Sequence, residues 1–328
     1  MSAIAPDFKD IEAAARRIAD HAVRTPLLEF PTLNERAGAR VLVKAETLQR
    51  TGSFKFRGAF SRLCRIEPDR RPSGVVAFSS GNHAQGVAAA ARLLDMPATI
   101  VMPADAPAIK RANTERLGAT VVPYDRDRES REEIAASIAA ETGAVLAPSF
   151  DDPDIIAGQG TVGLEMARQA RDQGAELGTL LIPVSGGGLI SGCAIAFETL
   201  SPATQIHAVE PQGFDDTARS LAAGERIAIK RVAGSVCDAL LAPCPGKITF
   251  PVMRRLLAGA VSVSDEEALE AVAFAAAELK LVVEPGGATA LAAVLSGKIE
   301  PKAGAVGIVL SGGNIDQHLM ARALSNRV

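Results

Sequence analysis

From about residue 74 onward the chain repeats one theme, in which short β-branched or apolar runs alternate with Ala-rich stretches long enough to be helices. Neighbouring parallel strands need a long crossover between them, usually a helix. The alternation therefore predicts an α/β chain whose open, mainly parallel sheets are flanked by helices. The expected strands are Val75 to Phe78, Ala98 to Met102, Thr120 to Val122 and Ala144 to Leu146. A second series follows at Leu180 to Val184, Ile206 to Val209, Ala260 to Val263 and Gly307 to Leu310. The clearest helix start is Ser264 with Glu267 three residues on, a capping box ahead of the apolar run Ala268 to Ala277. The two series predict a small domain over 72–148 and a large one made of 1–71 and 149–328, with an active site in the cleft between them.

With 328 residues, 48% of them apolar, the chain can bury a core for each domain. Its formal net charge of -3 comes from acids and bases spread throughout, with no basic stripe for nucleic acid and no polybasic patch for a membrane. The first residues lack the apolar core of a signal peptide, and no apolar run reaches the ~18 residues of a membrane span. A cytoplasmic protein without either partner is expected. Cys64, Cys193, Cys237 and Cys244 are widely spaced and not in ligand-like spacing with any histidine, so neither a disulfide framework nor a zinc site is indicated.

Four short segments carry chemistry. In Thr51-Gly52-Ser53-Phe54-Lys55-Phe56-Arg57-Gly58-Ala59 a lysine stands between two phenylalanines. Burial there would depress its pKa, as a Schiff-base lysine requires, whereas a surface lysine beside two core rings is the plain alternative. Ser79-Ser80-Gly81-Asn82-His83 sits where a strand ends and a helix begins, so its free N–H groups suit a carboxylate, or merely cap a turn. Ser185-Gly186-Gly187-Gly188-Leu189 has the same placement, and its three glycines let the backbone wrap a phosphate monoester. It is neither a dinucleotide fingerprint nor a P-loop. Ser311-Gly312-Gly313-Asn314 closes the last strand with a hydroxyl.

In that order and spacing the four segments resemble the fold-type II pyridoxal phosphate enzymes, and within them the threonine/serine dehydratase and serine racemase group. The resemblance runs from about Arg24 to about Asn314 and takes in Gly158-Gln159-Gly160-Thr161 and Val283-Glu284-Pro285. It implies pyridoxal 5'-phosphate bound through Lys55, with Phe54 against the ring and Asn82 on the phenolic oxygen. It also implies a phosphate held by Ser185, Gly186, Gly187, Gly188 and Leu189, with Ser311 at the ring nitrogen and Glu284 nearby. Ser79, Ser80, Gly81, Asn82 and His83 would grip the substrate carboxylate. Glu210, Asp216 and the carbonyl of Phe214 match the residues that hold Mg²⁺ or Ca²⁺ in serine racemase-like members; an acidic turn capping the next helix is the alternative.

The implied reaction is dehydration and deamination of a small 3-hydroxy amino acid, L-threonine or L-serine first and 3-hydroxyaspartate as an alternative, with Lys55 as the Cα base. A neutral hydroxyl at the ring nitrogen favours prompt loss of a β-substituent over transamination. Ser80, where dehydratases often carry alanine, raises a second reading, because proton carriers on both faces of Cα allow racemisation. A non-catalytic amino-acid-binding protein is the least favoured reading. The stretch Val236 to Pro243 departs from the family's more polar pattern and puts substrate identity in doubt. A homodimer is implied by the resemblance alone.

Overall fold

The computed structural model describes residues 4–79, 81–106, 108–230, 234–300 and 303–325. After an opening helix, Phe8–Ile18, come two strands absent from the expected series, β1 (Leu27–Glu29) and β2 (Val41–Ala45). The next four, β3 (Val75–Phe78), β4 (Ala98–Pro103), β5 (Thr120–Tyr124) and β6 (Val145–Leu146), form a four-stranded parallel sheet in the order β5-β4-β3-β6. The last four are β7 (Leu177–Pro183), β8 (Gln205–Pro211), β9 (Gly259–Val263) and β10 (Ala305–Leu310). They join the first two in a six-stranded sheet, order β1-β2-β10-β7-β8-β9, parallel apart from the β1/β2 pair. All eight expected strands are present, several of them longer by a few residues.

Every residue of β2 and β10 is buried, as expected for strands covered on both faces. Lys44 explains why β2 is hard to see in the sequence. It interrupts an apolar run, yet its amine is fully buried against Glu165 Oε2 at 2.6 Å and the carbonyl of Thr25 at 2.8 Å. The capping box forms: Ser264 Oγ accepts from the Glu267 amide and Glu267 Oε2 from the Ser264 amide, starting the helix Asp265–Phe274.

Helix Lys55–Leu63 lies between the two sheets. Its Phe56, Ala59, Phe60 and Leu63 join the core built on β3 and β4, while Gly58 packs against helix Pro153–Asp172. That helix in turn crosses helix Gly188–Leu200 at a glycine contact. A Cβ on Gly192 would stand 2.4 Å from the carbonyl of Ile156, so only hydrogen fits and the two backbones close together. These contacts hold Lys55 and the Ser185 loop at a set separation.

Candidate active site

The expected site segments all lie at the C-terminal ends of strands or at the helix starts that follow, the usual place for ligands in open parallel sheets. Backbone bonds knit them together. Phe54 N donates to the Ser311 carbonyl at 3.1 Å, Ser53 bridges Gly312, and Glu284 N donates to the Gly312 carbonyl at 3.0 Å. Gly313 N reaches the Gly52 carbonyl at 2.8 Å. The turn before Lys55 is strained: Thr51 sits at φ 62, a left-handed backbone rarely adopted by a β-branched residue.

Lys55 opens its helix, with Nζ 2.8 Å from the Ser149 carbonyl and 5.1 Å from the centre of the Phe54 ring. Among the described residues no carboxylate pairs with it. The side chain keeps some exposed surface, but its amine is desolvated enough for burial to bring its pKa down to about 8. The neutral amine, the form able to bond an aldehyde, therefore grows as pH rises toward 8. Reconstitution of cofactor-free protein with pyridoxal phosphate is expected to accelerate about tenfold per unit below that value and level off above it. Stopped-flow absorbance from about pH 6 to about pH 9 checks this, and a flat profile would contradict it.

Asn82 is held at both ends of its amide. Its Nδ2 donates to Glu284 Oε1 at 2.5 Å, and its Oδ1 accepts from Asn314 Nδ2 at 2.7 Å. Glu284 is 3% exposed, and burial pushes its carboxyl up to about 7, with Asp238 adding to the rise and Lys110 opposing it. Ser311 is 6% exposed at the end of β10.

In the glycine loop, Gly187 has φ +92 and caps helix Gly188–Leu200. A Cβ on Gly186 would stand 2.4 Å from the Phe150 ring, and one on Gly188 2.4 Å from Gln159 Oε1. The loop is thus a backbone cradle with no room for side chains, and the first amides of its helix have no intrahelical acceptor. Gln159 Oε1 and Ser53 Oγ are buried nearby without hydrogen-bond partners. An amine with a lowered pKa, a glycine cradle at a helix start and unpartnered buried polar atoms fit pyridoxal phosphate.

Ser79 lies just beyond β3, with its Oγ accepting from the Gly81 amide at 3.3 Å; Ser80 lies outside the described residues. The side chain of His83 turns toward the segment just after β6. Its Nε2 is 2.9 Å from the Ala147 carbonyl, and burial pushes its pKa down to about 3, so the ring is neutral with the proton on Nε2. Only its backbone can serve the loop.

Glu210, Phe214 and Asp216 lie at the C-terminal end of β8 and in the turn that follows it. Glu210 accepts from the amides of Thr217 at 2.7 Å and Ala218 at 2.9 Å, capping helix Asp216–Ala223. Both carboxylate oxygens of Asp216 are buried without a partner, and Phe214 is fully buried beside them in sequence. Burial raises Glu210 to about 7; burial and the Glu210 charge raise Asp216 to about 8. Among the described residues no three His, Cys, Asp or Glu side chains gather as a metal centre, so a hard cation there would also need backbone oxygens and water.

Three participants were not legible beforehand. The Ser149 carbonyl bears no signal, since every residue has one. Asn314 was noted within its motif but not as the partner of Asn82. Lys110, on helix Ala108–Arg116, is paired with Asp238 on the turn Asp238–Leu240, and nothing in its local sequence separates it from other helix lysines. The departing stretch after Val236 lies against the site: Ala242 N donates to Ser185 Oγ at 3.1 Å, and a Cβ on Gly286 would stand 3.2 Å from Leu240 Cγ.

The chain is similar to known proteins over nearly its whole length. The family described as "Pyridoxal-phosphate dependent enzyme" matches residues 18–312. L-threo-3-hydroxyaspartate ammonia-lyase of Pseudomonas sp is 46% identical over 309 residues, covering 94% of this chain and 95% of the relative. The protein of the same name from Saccharomyces cerevisiae is 41% identical, covering 99% and 98%. The solved structure of maize serine racemase superposes with a TM-score of 0.91 at 38% identity, covering 98% of each chain. No described helix is long and apolar enough to cross a membrane.

Proposed function

We propose, since this chain belongs to the pyridoxal-phosphate dependent enzyme family, that it is an ammonia-lyase converting a 3-hydroxy amino acid to a 2-oxo acid and ammonia, with L-threo-3-hydroxyaspartate the preferred substrate and L-serine and L-threonine slower ones. The observation that carries the chemistry is Lys55, an amine of lowered pKa with no carboxylate partner among the described residues, where four segments meet. The two ammonia-lyase relatives support the substrate. Bound pyridoxal phosphate supplies an aldehyde for the substrate nitrogen and an electron-withdrawing ring.

The chain's own residues do the rest. Lys55 would anchor the cofactor, and once the substrate nitrogen has taken its place the freed Nζ would take the proton from Cα. Asn82, fixed by Glu284 and Asn314, would meet the phenolic oxygen, and Phe54 would flank the ring. Ser185 and the amides of Gly186, Gly187, Gly188 and Leu189 hold the phosphate. Ser311 offers the ring nitrogen a hydroxyl, so no carboxylate there holds a proton on it. The amides around Ser79 to His83 hold the α-carboxylate at the start of helix Asn82–Leu93. Glu210, Asp216 and the Phe214 carbonyl take Mg²⁺ or Ca²⁺, a reading supported by Asp216's unpartnered oxygens. The protein works on free amino acids as a cytoplasmic homodimer, with residues 72–148 as the smaller lobe and helix Lys55–Leu63 adding its apolar face to it.

A second reading, amino-acid racemisation with Ser80 Oγ moving a proton on the opposite face of Cα, is supported by the likeness to maize serine racemase. Holoenzyme incubated with L-threo-3-hydroxyaspartate, L-serine and L-threonine, with and without Mg²⁺, separates the two. The expected result is 2-oxo acid formed fastest from the hydroxyaspartate. Racemised substrate without oxo acid would overturn the lyase assignment. An effect of Mg²⁺ that Asp216→Ala abolishes is expected as well, and its absence would remove the cation site.

A further inference from the structure

The cleft contains a second lysine to which the chemistry above gives no task. Lys110 is 8% exposed, and its ammonium is ion-paired with Asp238 on the short turn Asp238–Leu240. A Cβ built on Gly81 would stand 3.8 Å from Lys110 Nζ, so this cation borders the loop that receives the α-carboxylate. Both members of the pair act electrostatically on Glu284, which bonds Asn82, and this places all four groups around one chamber.

A desolvated ammonium needs a counter-charge, and Lys110 obtains it from a carboxylate whose side chain is 47% exposed on the opposite wall. Such a partner can be exchanged for another carboxylate at little cost, because the displaced one returns to water. Arg131, half-buried with its side chain 42% exposed, lies over the Phe78 ring at 5.2 Å and bonds Glu132 at 2.9 Å, where water and salt screen it.

We propose that Lys110 binds the second carboxylate of a dicarboxylic amino acid, which takes the place Asp238 holds in the free enzyme. The inference deepens the reading of the site as one for 3-hydroxy amino acids and rests on it. A dicarboxylic substrate anchors one carboxylate on the Gly81 loop and the other, on the neighbouring carbon, on Lys110. L-Serine carries no such group and leaves the Lys110–Asp238 pair intact. The pair thus acts as a charge filter, in which Asp238 competes with every ligand and only a carboxylate replaces it on equal terms.

Binding of L-aspartate and L-alanine to the holoenzyme, read from the cofactor's absorbance, tests this without requiring elimination. Wild type is expected to prefer L-aspartate. Lys110→Met should lower the aspartate-to-alanine affinity ratio by about 30-fold or more, and Lys110→Arg should keep most of it. Asp238→Asn, which removes the competing charge, should raise the ratio and carries the test if Lys110→Met does not fold. Equal weakening of both ligands in Lys110→Met, an unchanged ratio in Asp238→Asn, or no aspartate preference in wild type would each overturn the inference. Failure to dehydrate hydroxyaspartate, with the ratios behaving as expected, would instead count against the lyase reading alone.

Discussion

Lys55→Ala is expected to lower turnover by about 10³-fold or more and to abolish the visible absorbance of lysine-bound cofactor. Both losses follow from one amine with two tasks. Nζ meets the Ser149 carbonyl and the Phe54 ring, and among the described residues no acid offsets its desolvation, so a raised population of neutral amine results. Alanine keeps the helix start and the apolar packing of Phe56 on the other side, so the fold should survive while the chemistry does not. Spectra of the purified variant with added pyridoxal phosphate, alongside an assay of 2-oxo acid, provide the check. A variant retaining both the absorbance and the activity would sink the assignment of Lys55.

The largest effect on stability is expected two residues further along. Arg57 is wholly buried, and its guanidinium donates to Glu46 at 2.8 Å from both Nε and Nη2, to Glu165 at 2.7 and 2.9 Å, to Thr161 at 3.1 Å and to the Val23 carbonyl at 3.1 Å. Glu46 is equally buried and also accepts from Thr25 Oγ1 at 2.5 Å. Arg57→Leu leaves two carboxylates with Lys44 as their neighbouring cation among the described residues, one of them fully desolvated. Removing one partner of a buried pair typically costs about 3–5 kcal/mol.

The pH dependence of that loss has a definite sign. Burial acts to raise Glu46, but the Arg57 charge and hydrogen bonds outweigh it and hold the carboxyl below its ordinary range. A lowered folded pKa means stability present at neutral pH and lost as pH falls through that range. In the variant the same carboxyl gains by taking up a proton. The gap between wild type and Arg57→Leu should therefore narrow on acidification, as measured by urea denaturation at neutral and acid pH. A gap that widens would contradict the account.

Legibility of the fold followed the range of the forces involved. Runs such as Val75–Phe78 and the Ser264/Glu267 capping box declare themselves because side-chain alternation and capping act within a few residues. β2 escaped because Lys44, buried by partners 19 to 125 residues away, breaks its apolar pattern. The glycine loop and the Ser311 turn are equally local and declare themselves as segments at strand ends, whereas the Lys55 turn shows only its lysine between two phenylalanines.

What no local pattern contains is which segments meet. β10 inserts between β2 and β7, bringing Ser311 beside Phe54; Asn314 grips Asn82 from 232 residues away; Lys110 finds Asp238 from 128. The amino-acid sequence by itself determined most of the elements, their parallel habit and the residue types able to hold a phosphate or lend an amine. Only the tertiary structure decided that His83 turns toward Ala147 and that a desolvated ammonium borders the Gly81 loop. The reason is physical: propensity and capping are settled among neighbours. Burial and ion pairing belong to surfaces that exist only once distant apolar faces have closed on each other.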